Sequence, residues 1–192
     1  MLIIGITGTL GAGKGTIVDF LVNEKGFTHF SVRGFITEEI IRQGLQVNRD
    51  SMVLVANGLR ASHSPSWLVD QLYEKAAGTG RNCVIESIRT PGEIESLRGK
   101  GNFVLFAVDA DPQLRYNRIV MRNSETDRIS YQTFIENEER EMASTDPNKQ
   151  NIGKCIGQAD FIFYNNHSLN DLNVRVAEVL HDLRIGKPDL ES

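Results

Sequence analysis

Gly8-Thr9-Leu10-Gly11-Ala12-Gly13-Lys14-Gly15-Thr16 follows an apolar run at 2–6 and precedes an amphipathic segment at 17–22. The order strand, glycine loop, helix is the setting of a G-x-x-x-x-G-K phosphate-binding loop. Glycines let the backbone turn tightly enough for successive N–H groups to point inward as an anion nest. The helix beginning near Lys14 adds its positive end. Gly8, Gly11, Ala12, Gly13, Lys14, Gly15 and Thr16 are therefore the expected polyphosphate-binding residues. The Lys14 amine would reach the outer phosphates and offset charge as a phosphoryl group moves. Residue 15 is glycine where the pattern asks for Ser or Thr. The hydroxyl comes one position later at Thr16.

Outward from this loop, apolar bursts alternate with longer amphipathic stretches, the pattern of a parallel sheet with crossover helices. Bursts at 2–6, 27–30, 83–85, 103–108 and 161–163 predict five strands. The run at 103–108 is apolar throughout, as a strand covered on both faces should be. Ser64-Pro65, Thr90-Pro91 and Asp111-Pro112 each place a capping residue before a proline that can open a helix. Thr90 with Glu93 completes a capping box, and Gly78 and Gly99 fall at helix ends. Helices are predicted over 14–24, 34–43, 49–61, 65–77, 91–98, 112–122, 130–143, 149–156 and 169–184. The expected fold class is α/β: a three-layer P-loop fold with a five-stranded parallel sheet flanked by helices. A chain of 192 residues suits one such domain. It is expected over 1–184, with a short lid at about 122–130 and a flexible tail over 185–192.

Composition narrows the partners. With a net charge of −4 the chain has no overall basic field to favour a nucleic-acid polymer or an anionic membrane. It has no apolar run near the ~20 residues a spanning helix needs. The apolar start lacks a basic leader and runs straight into the glycine loop, so the expected location is cytoplasmic. Arginines outnumber lysines by fourteen to seven, and guanidinium forks suit a small phosphorylated substrate. Cys83 and Cys155 stand far apart, and the four histidines form no spaced cluster, so neither a redox pair nor a zinc site is expected.

The remaining candidates lie at strand ends, where ligands of such sheets gather. Glu86-Ser-Ile-Arg89-Thr-Pro-Gly follows the third strand, and Ser31-Val-Arg33-Gly34 follows the second. Ser31 is placed either to cap the next helix or to bond substrate. Arg42 reads as a solvated helix residue, and Arg60 ends the following helix. Further on, Arg118 and Arg122 share a helix face, with Arg128 in the segment after it. The acidic stretch Glu136-Asn-Glu-Glu-Arg-Glu141 reads as a solvated face.

Gly-Lys-Gly-Thr at 13–16 resembles the loop of adenylate kinases and related nucleoside monophosphate kinases. Glu86-Ser-Ile-Arg89 resembles their Asp-Gly-Phe-Pro-Arg stretch, with Glu in place of Asp. The segment around Arg118, Arg122 and Arg128 is similar to their arginine-bearing lid. Ala159-Asp-Phe-Ile-Phe-Tyr-Asn165-Asn166 resembles the closing strand of dephospho-coenzyme A kinases and their archaeal relatives of unassigned function. The resemblance implies ATP with magnesium as cofactors, the metal near Thr16 and Glu86, partly through water. It implies Lys14, Arg118, Arg122 and Arg128 as catalytic residues, and Ser31, Arg33, Arg60 and Arg89 as acceptor-binding residues. The acceptor it favours is a nucleoside or deoxynucleoside monophosphate. Dephospho-coenzyme A is second, because Ser-Val-Arg-Gly stands where that kinase carries Asp-x-Asp. A regulatory module that binds nucleotide without turnover, as in the segment attached to some deoxycytidylate deaminases, is the alternative of another class.

Overall fold

The computed structural model describes residues 1–122 and 129–183. β1 (Ile3–Gly8) is the middle strand of five. β3 (Cys83–Glu86) and then β2 (Thr28–Ser31) lie on one side; β4 (Phe103–Asp109) and then β5 (Phe161–Tyr164) lie on the other. Every pairing is parallel, so the five carboxyl ends emerge along one edge. Strand order reverses about β1, which opens a crevice at that edge.

The sheet is buried on both faces. Leu2, Ile4, Ile6, Val84, Phe106 and Val108 pack with α1 (Lys14–Lys25) and α9 (Leu169–Asp182). Ile3, Cys83, Ile85 and Leu105 pack on the opposite face. There they meet α2 (Val32–Arg42), α3 (Arg49–Ser62), α4 (Trp67–Ala77), α5 (Pro91–Gly99) and α8 (Ile152–Gly157). Fully burying one such aliphatic side chain stabilises the fold by roughly 1.5–3 kcal/mol, so the apolar bursts specify the three layers. α6 (Pro112–Arg122) and α7 (Tyr131–Met142) stand over the carboxyl edge through Arg115 and Glu138. Among the described residues no helix is long and apolar enough to cross a membrane.

Local signals set most helix ends. Thr90 accepts from the Glu93 N–H while Glu93 accepts from the Thr90 N–H, the capping box expected for α5. Three starts differ from expectation by two residues or more. α2 begins at Val32 rather than at 34, because Ser31 caps it by accepting from the Gly34 N–H. α4 begins at Trp67 rather than at 65, because the Ser64 carbonyl accepts from the Trp67 N–H and closes a turn over Pro65 and Ser66. α8 begins at Ile152, because Asn151 caps it by accepting from the Lys154 N–H, leaving 149–151 outside. Gly78 does follow α4, but in right-handed geometry (φ −62°) rather than as a left-handed cap.

Arg60 of α3 and Glu93 of α5 form an ion pair at 2.7 Å, with side chains 1% and 0% exposed. Glu93 also accepts from the Arg89 and Thr90 N–H groups. Removing one partner of a buried pair strands the other charge. Glu93→Ala is therefore expected to destabilise the chain by roughly 3–5 kcal/mol, measured by urea denaturation. A loss below ~1 kcal/mol would mean that water reaches Arg60.

Candidate active site

The loop after β1 is held open for an anion. Gly13 ends it in the left-handed region (φ 111°), and no side chain caps α1. The first-turn N–H groups of α1 therefore need an outside acceptor. A Cβ on Gly13 would meet Asn165 Nδ2 at 2.3 Å, so glycine is required there by space as well as by φ. The neighbouring strands brace the loop. Thr7 Oγ1 donates to the Ile88 carbonyl, Thr9 Oγ1 to Asp109, and Asn165 Nδ2 to the Ala12 carbonyl. From α6 the buried Arg115 donates to the Leu10 and Ala110 carbonyls and pairs with Glu138 of α7.

Lys14 folds its amine back onto this loop, donating to the Gly8 and Thr9 carbonyls at 2.9 and 2.7 Å. Desolvation, helped by the Arg89 charge, lowers its pKa from 10.5 to about 7 against the opposing pull of Glu86 and Glu141. A polyphosphate would restore the ammonium by supplying negative charge. Glu86 ends β3 beside the loop. Burial raises its pKa, but the His29 imidazole 3.8 Å away, the Ser31 hydroxyl at 2.7 Å and the Lys14 charge outweigh burial and hold it below the usual range. Glu86 and the Thr16 hydroxyl line one cleft. Both are hard oxygen donors, and magnesium binds through one or two such groups plus water and phosphate. The residues present fit that ion.

That cleft is walled by Leu10, Gly11, Gly13, Lys14, Gly15 and Thr16, and by Arg33, Arg89, Arg118 and Arg122. Arg118 Nη2 donates to the Asn165 carbonyl at 2.9 Å, while its Nη1 is buried without an acceptor. Desolvation lowers the Arg118 pKa, so an anion placed there would relieve an unfavourable state. A second cavity opens between α2 and α3. Its apolar walls are Val32, Ile36, Met52, Val53 and Ala56. Its polar lining is Arg33, Arg49, Arg60, Ser87, Arg89, Glu141 and Gln150. Arg33, Ser87 and Arg89 border both spaces. Ser87 carries φ 69°, a strained backbone for a residue with a side chain.

The structure thus brings Lys14, Thr16, Arg33, Glu86, Arg89, Arg118 and Arg122 around one cleft. Of the two roles the sequence left open for Ser31, the structure shows the cap: its hydroxyl accepts from the Gly34 N–H and donates to Glu86, and Ser31 lines neither cavity. Arg60 lines the second cavity with its Nε and Nη2 committed to Glu93. Arg42 pairs with Glu39 on the surface. Arg128, most of the expected lid and the tail from 184 lie outside the described residues.

The acidic stretch at 136–141 is not simply a solvated face. Glu141 is 8% exposed and binds Arg49 at 2.5 Å and Arg89 at 2.9 Å. Three residues earlier, Glu138 meets Arg115. Both carboxylates turn inward because the buried Arg115 and the half-buried Arg49 and Arg89 need counter-charge. Sequence reasoning also passed over Arg49, Gln150 and Asn165 as site residues. Each takes its role from a partner far along the chain, and only the position of Asn165 at a strand end hinted at it.

Over residues 4–143 the chain matches the family described as AAA domain. It is 30% identical over 188 residues to a UPF0200 protein of Methanococcus vannielii, covering 94% of this chain and 97% of that one. Among solved structures it resembles TT1252 from Thermus thermophilus, with a TM-score of 0.63 at 19% identity over 95% of this chain and 97% of that one. It also resembles shikimate kinase from Aquifex aeolicus, with a TM-score of 0.54 at 11% identity over 97% of this chain and 100% of that one. The fold is that of P-loop kinases.

Proposed function

This chain belongs to the AAA domain family and to the UPF0200 proteins, and from that premise we propose that it moves the γ-phosphoryl group of ATP onto a small phosphate-bearing acceptor. A nucleoside or deoxynucleoside monophosphate is the favoured acceptor. The observation that carries this reading is the shared wall: Arg33, Ser87 and Arg89 border both the loop cleft and the second cavity. Two anions bound there would face each other across those side chains. The apolar walls from α2 and α3 suit a flat base beyond the phosphate. Working on soluble nucleotides, the enzyme would act in the cytoplasm.

The transfer is direct. An acceptor phosphate oxygen attacks the γ-phosphorus, a new P–O bond forms, and the bond to the bridging β,γ oxygen breaks in line to release ADP. The loop amides hold the β-phosphate, and Lys14 bridges β and γ. Arg33 and Arg89 orient the acceptor, while Arg118 and Arg122 meet charge on the transferring group. Magnesium, held by Thr16 and by Glu86 through water, supplies charge neutralisation on the phosphate oxygens when bound. Positioning and charge suffice, so no covalent enzyme intermediate is needed.

The test is ADP release from ATP and magnesium, measured with each common ribo- and deoxyribonucleoside monophosphate, dephospho-coenzyme A and shikimate. At least one monophosphate is expected to accelerate release far above the acceptor-free rate. Tight ATP binding with no acceptor dependence would assign the chain to the regulatory class instead. Acceleration by dephospho-coenzyme A or shikimate alone would overturn the choice of acceptor.

A further inference from the structure

Glu141 meets two arginines in the cavity between α2 and α3. Its two oxygens are divided between Arg49 of α3 and Arg89 of the β3–α5 loop, at 2.5 and 2.9 Å. The same Arg89 Nη1 also reaches Gln150 Oε1 at 2.7 Å. All four residues line the cavity between α2 and α3. One carboxylate facing two guanidinium groups leaves that cluster one negative charge short. Donors are also left over: Arg49 Nε and Arg60 Nη1 are buried without acceptors. Arg60 turns its Nε and Nη2 edge to Glu93, so its Nη1 points the other way.

We propose that Glu141 is a built-in competitor that sets the charge of the acceptor: a dianionic phosphate displaces it from Arg49 and Arg89, whereas a singly charged carboxylate or a neutral group does not. This rests on the reading of the cavity as the acceptor site. A ligand carboxylate would only repeat what Glu141 already does. Glu141 is tethered, so it acts at a high effective concentration and defeats such a ligand. A phosphate monoester carries close to two charges at neutral pH and three strong acceptor oxygens. It balances both guanidinium groups and can satisfy donors that a carboxylate leaves unmade. Glu141 is thus a specificity-determining residue that acts through the arginines, without touching the transferring phosphoryl group.

α7 extends the consequence. Glu138, three residues before Glu141, pairs with Arg115, whose Nη1 donates to the Leu10 carbonyl of the phosphate loop. One helix therefore carries the competitor of one anion site and a brace of the other. Displacing Glu141 loosens the end of α7 that faces the acceptor while the Glu138 attachment stays.

The experiment measures anion binding by thermal unfolding of the full chain, with the phosphate loop first filled by ADP and magnesium. Inorganic phosphate and acetate are the probes, applied to the unaltered chain, Glu141→Gln and Glu141→Asp. Phosphate is expected to stabilise the unaltered chain and acetate not to. Glu141→Gln should melt lower without anion, bind phosphate about tenfold tighter or more, and respond to acetate. Glu141→Asp should keep the discrimination. Phosphate affinity in Glu141→Gln equal to or below that of the unaltered chain overturns the proposal, since a purely structural role predicts that result. A crystal of the unaltered chain soaked in phosphate removes any dependence on how the variant folds. Phosphate on Arg49 and Arg89 with Glu141 turned away supports displacement; an intact pair with Glu141, with or without phosphate nearby, overturns it. Failure of every monophosphate to be phosphorylated would sink the kinase reading and leave the soaked-crystal result standing on its own.

Discussion

Lys14→Ala is expected to reduce acceptor-dependent ADP formation by about 10³-fold or more, in a chain that still unfolds cooperatively near its original temperature. The two halves of this expectation have separate causes. The loop does not depend on the lysine for its shape. Ile88, Asp109, Asn165 and Arg115, from four separate parts of the chain, brace the loop and the end of the strand that leads into it. Turnover is expected to depend on it, because no other cation in the cleft issues from the loop itself. The pH response gives a second readout. In the nucleotide-free chain the Lys14 pKa is about 7, against 10.5 for an ordinary lysine. Between those values the unfolded chain holds a proton that the folded chain lacks, so this group makes the fold more stable as pH rises through that window. Nucleotide binding reverses the shift: the phosphates raise the lysine pKa, and binding takes up a proton. ATP affinity should therefore fall as pH rises above about 7, by at most about tenfold per unit, and Lys14→Ala should lack that component. An unchanged rate in Lys14→Ala, or no difference between the two pH profiles, defeats the assignment.

Arg122→Ala should act on turnover rather than on binding. Arg118 is half-buried and tied to the Asn165 carbonyl, so it is built into the cleft before any ligand arrives. Arg122 sits one turn further along α6, exposed, yet still borders the cleft. A cation in that position gains most when charge spreads over the transferring group. The expected result is a fall in kcat of roughly 10²–10³-fold with the KM for ATP changed by less than about threefold. Steady-state kinetics with saturating acceptor separates the cases. Lost ATP affinity at preserved kcat would place Arg122 in ground-state binding and remove it from the transition state.

The fold was legible because its cues are local. A buried first strand, three glycines, a lysine and a helix follow each other within 25 residues, and the box formed by Thr90 and Glu93 announces α5. The loop cleft was legible in part, since phosphate chemistry demands arginines near strand ends. The arginine–glutamate cluster of the second cavity was not. Glu141 reads as one more acid on a charged helix until Arg49, 92 residues away, and Arg89, 52 residues away, are folded against it. Asn165 is separated from Ala12 by 153 residues. Arg115 looks like a companion of Arg118 and Arg122, but on the helix it points inward and is buried beneath the loop. Side-chain pairing over such separations leaves no periodicity to read. The start of α4 failed for a smaller reason: a turn over Pro65 satisfies the Ser64 carbonyl as well as a helical first turn would.

The left-handed backbone at Ser87 bears on how this corner can vary. With Glu86 before it and Ile88 and Arg89 after it, the reversed φ lets the acid face the loop cleft while the arginine borders both spaces. β-Branched and aromatic residues resist that backbone strongly; glycine, asparagine and aspartate accept it most readily. Position 87 should therefore tolerate only a handful of small residues, and any of these would keep the angle between Glu86 and Arg89.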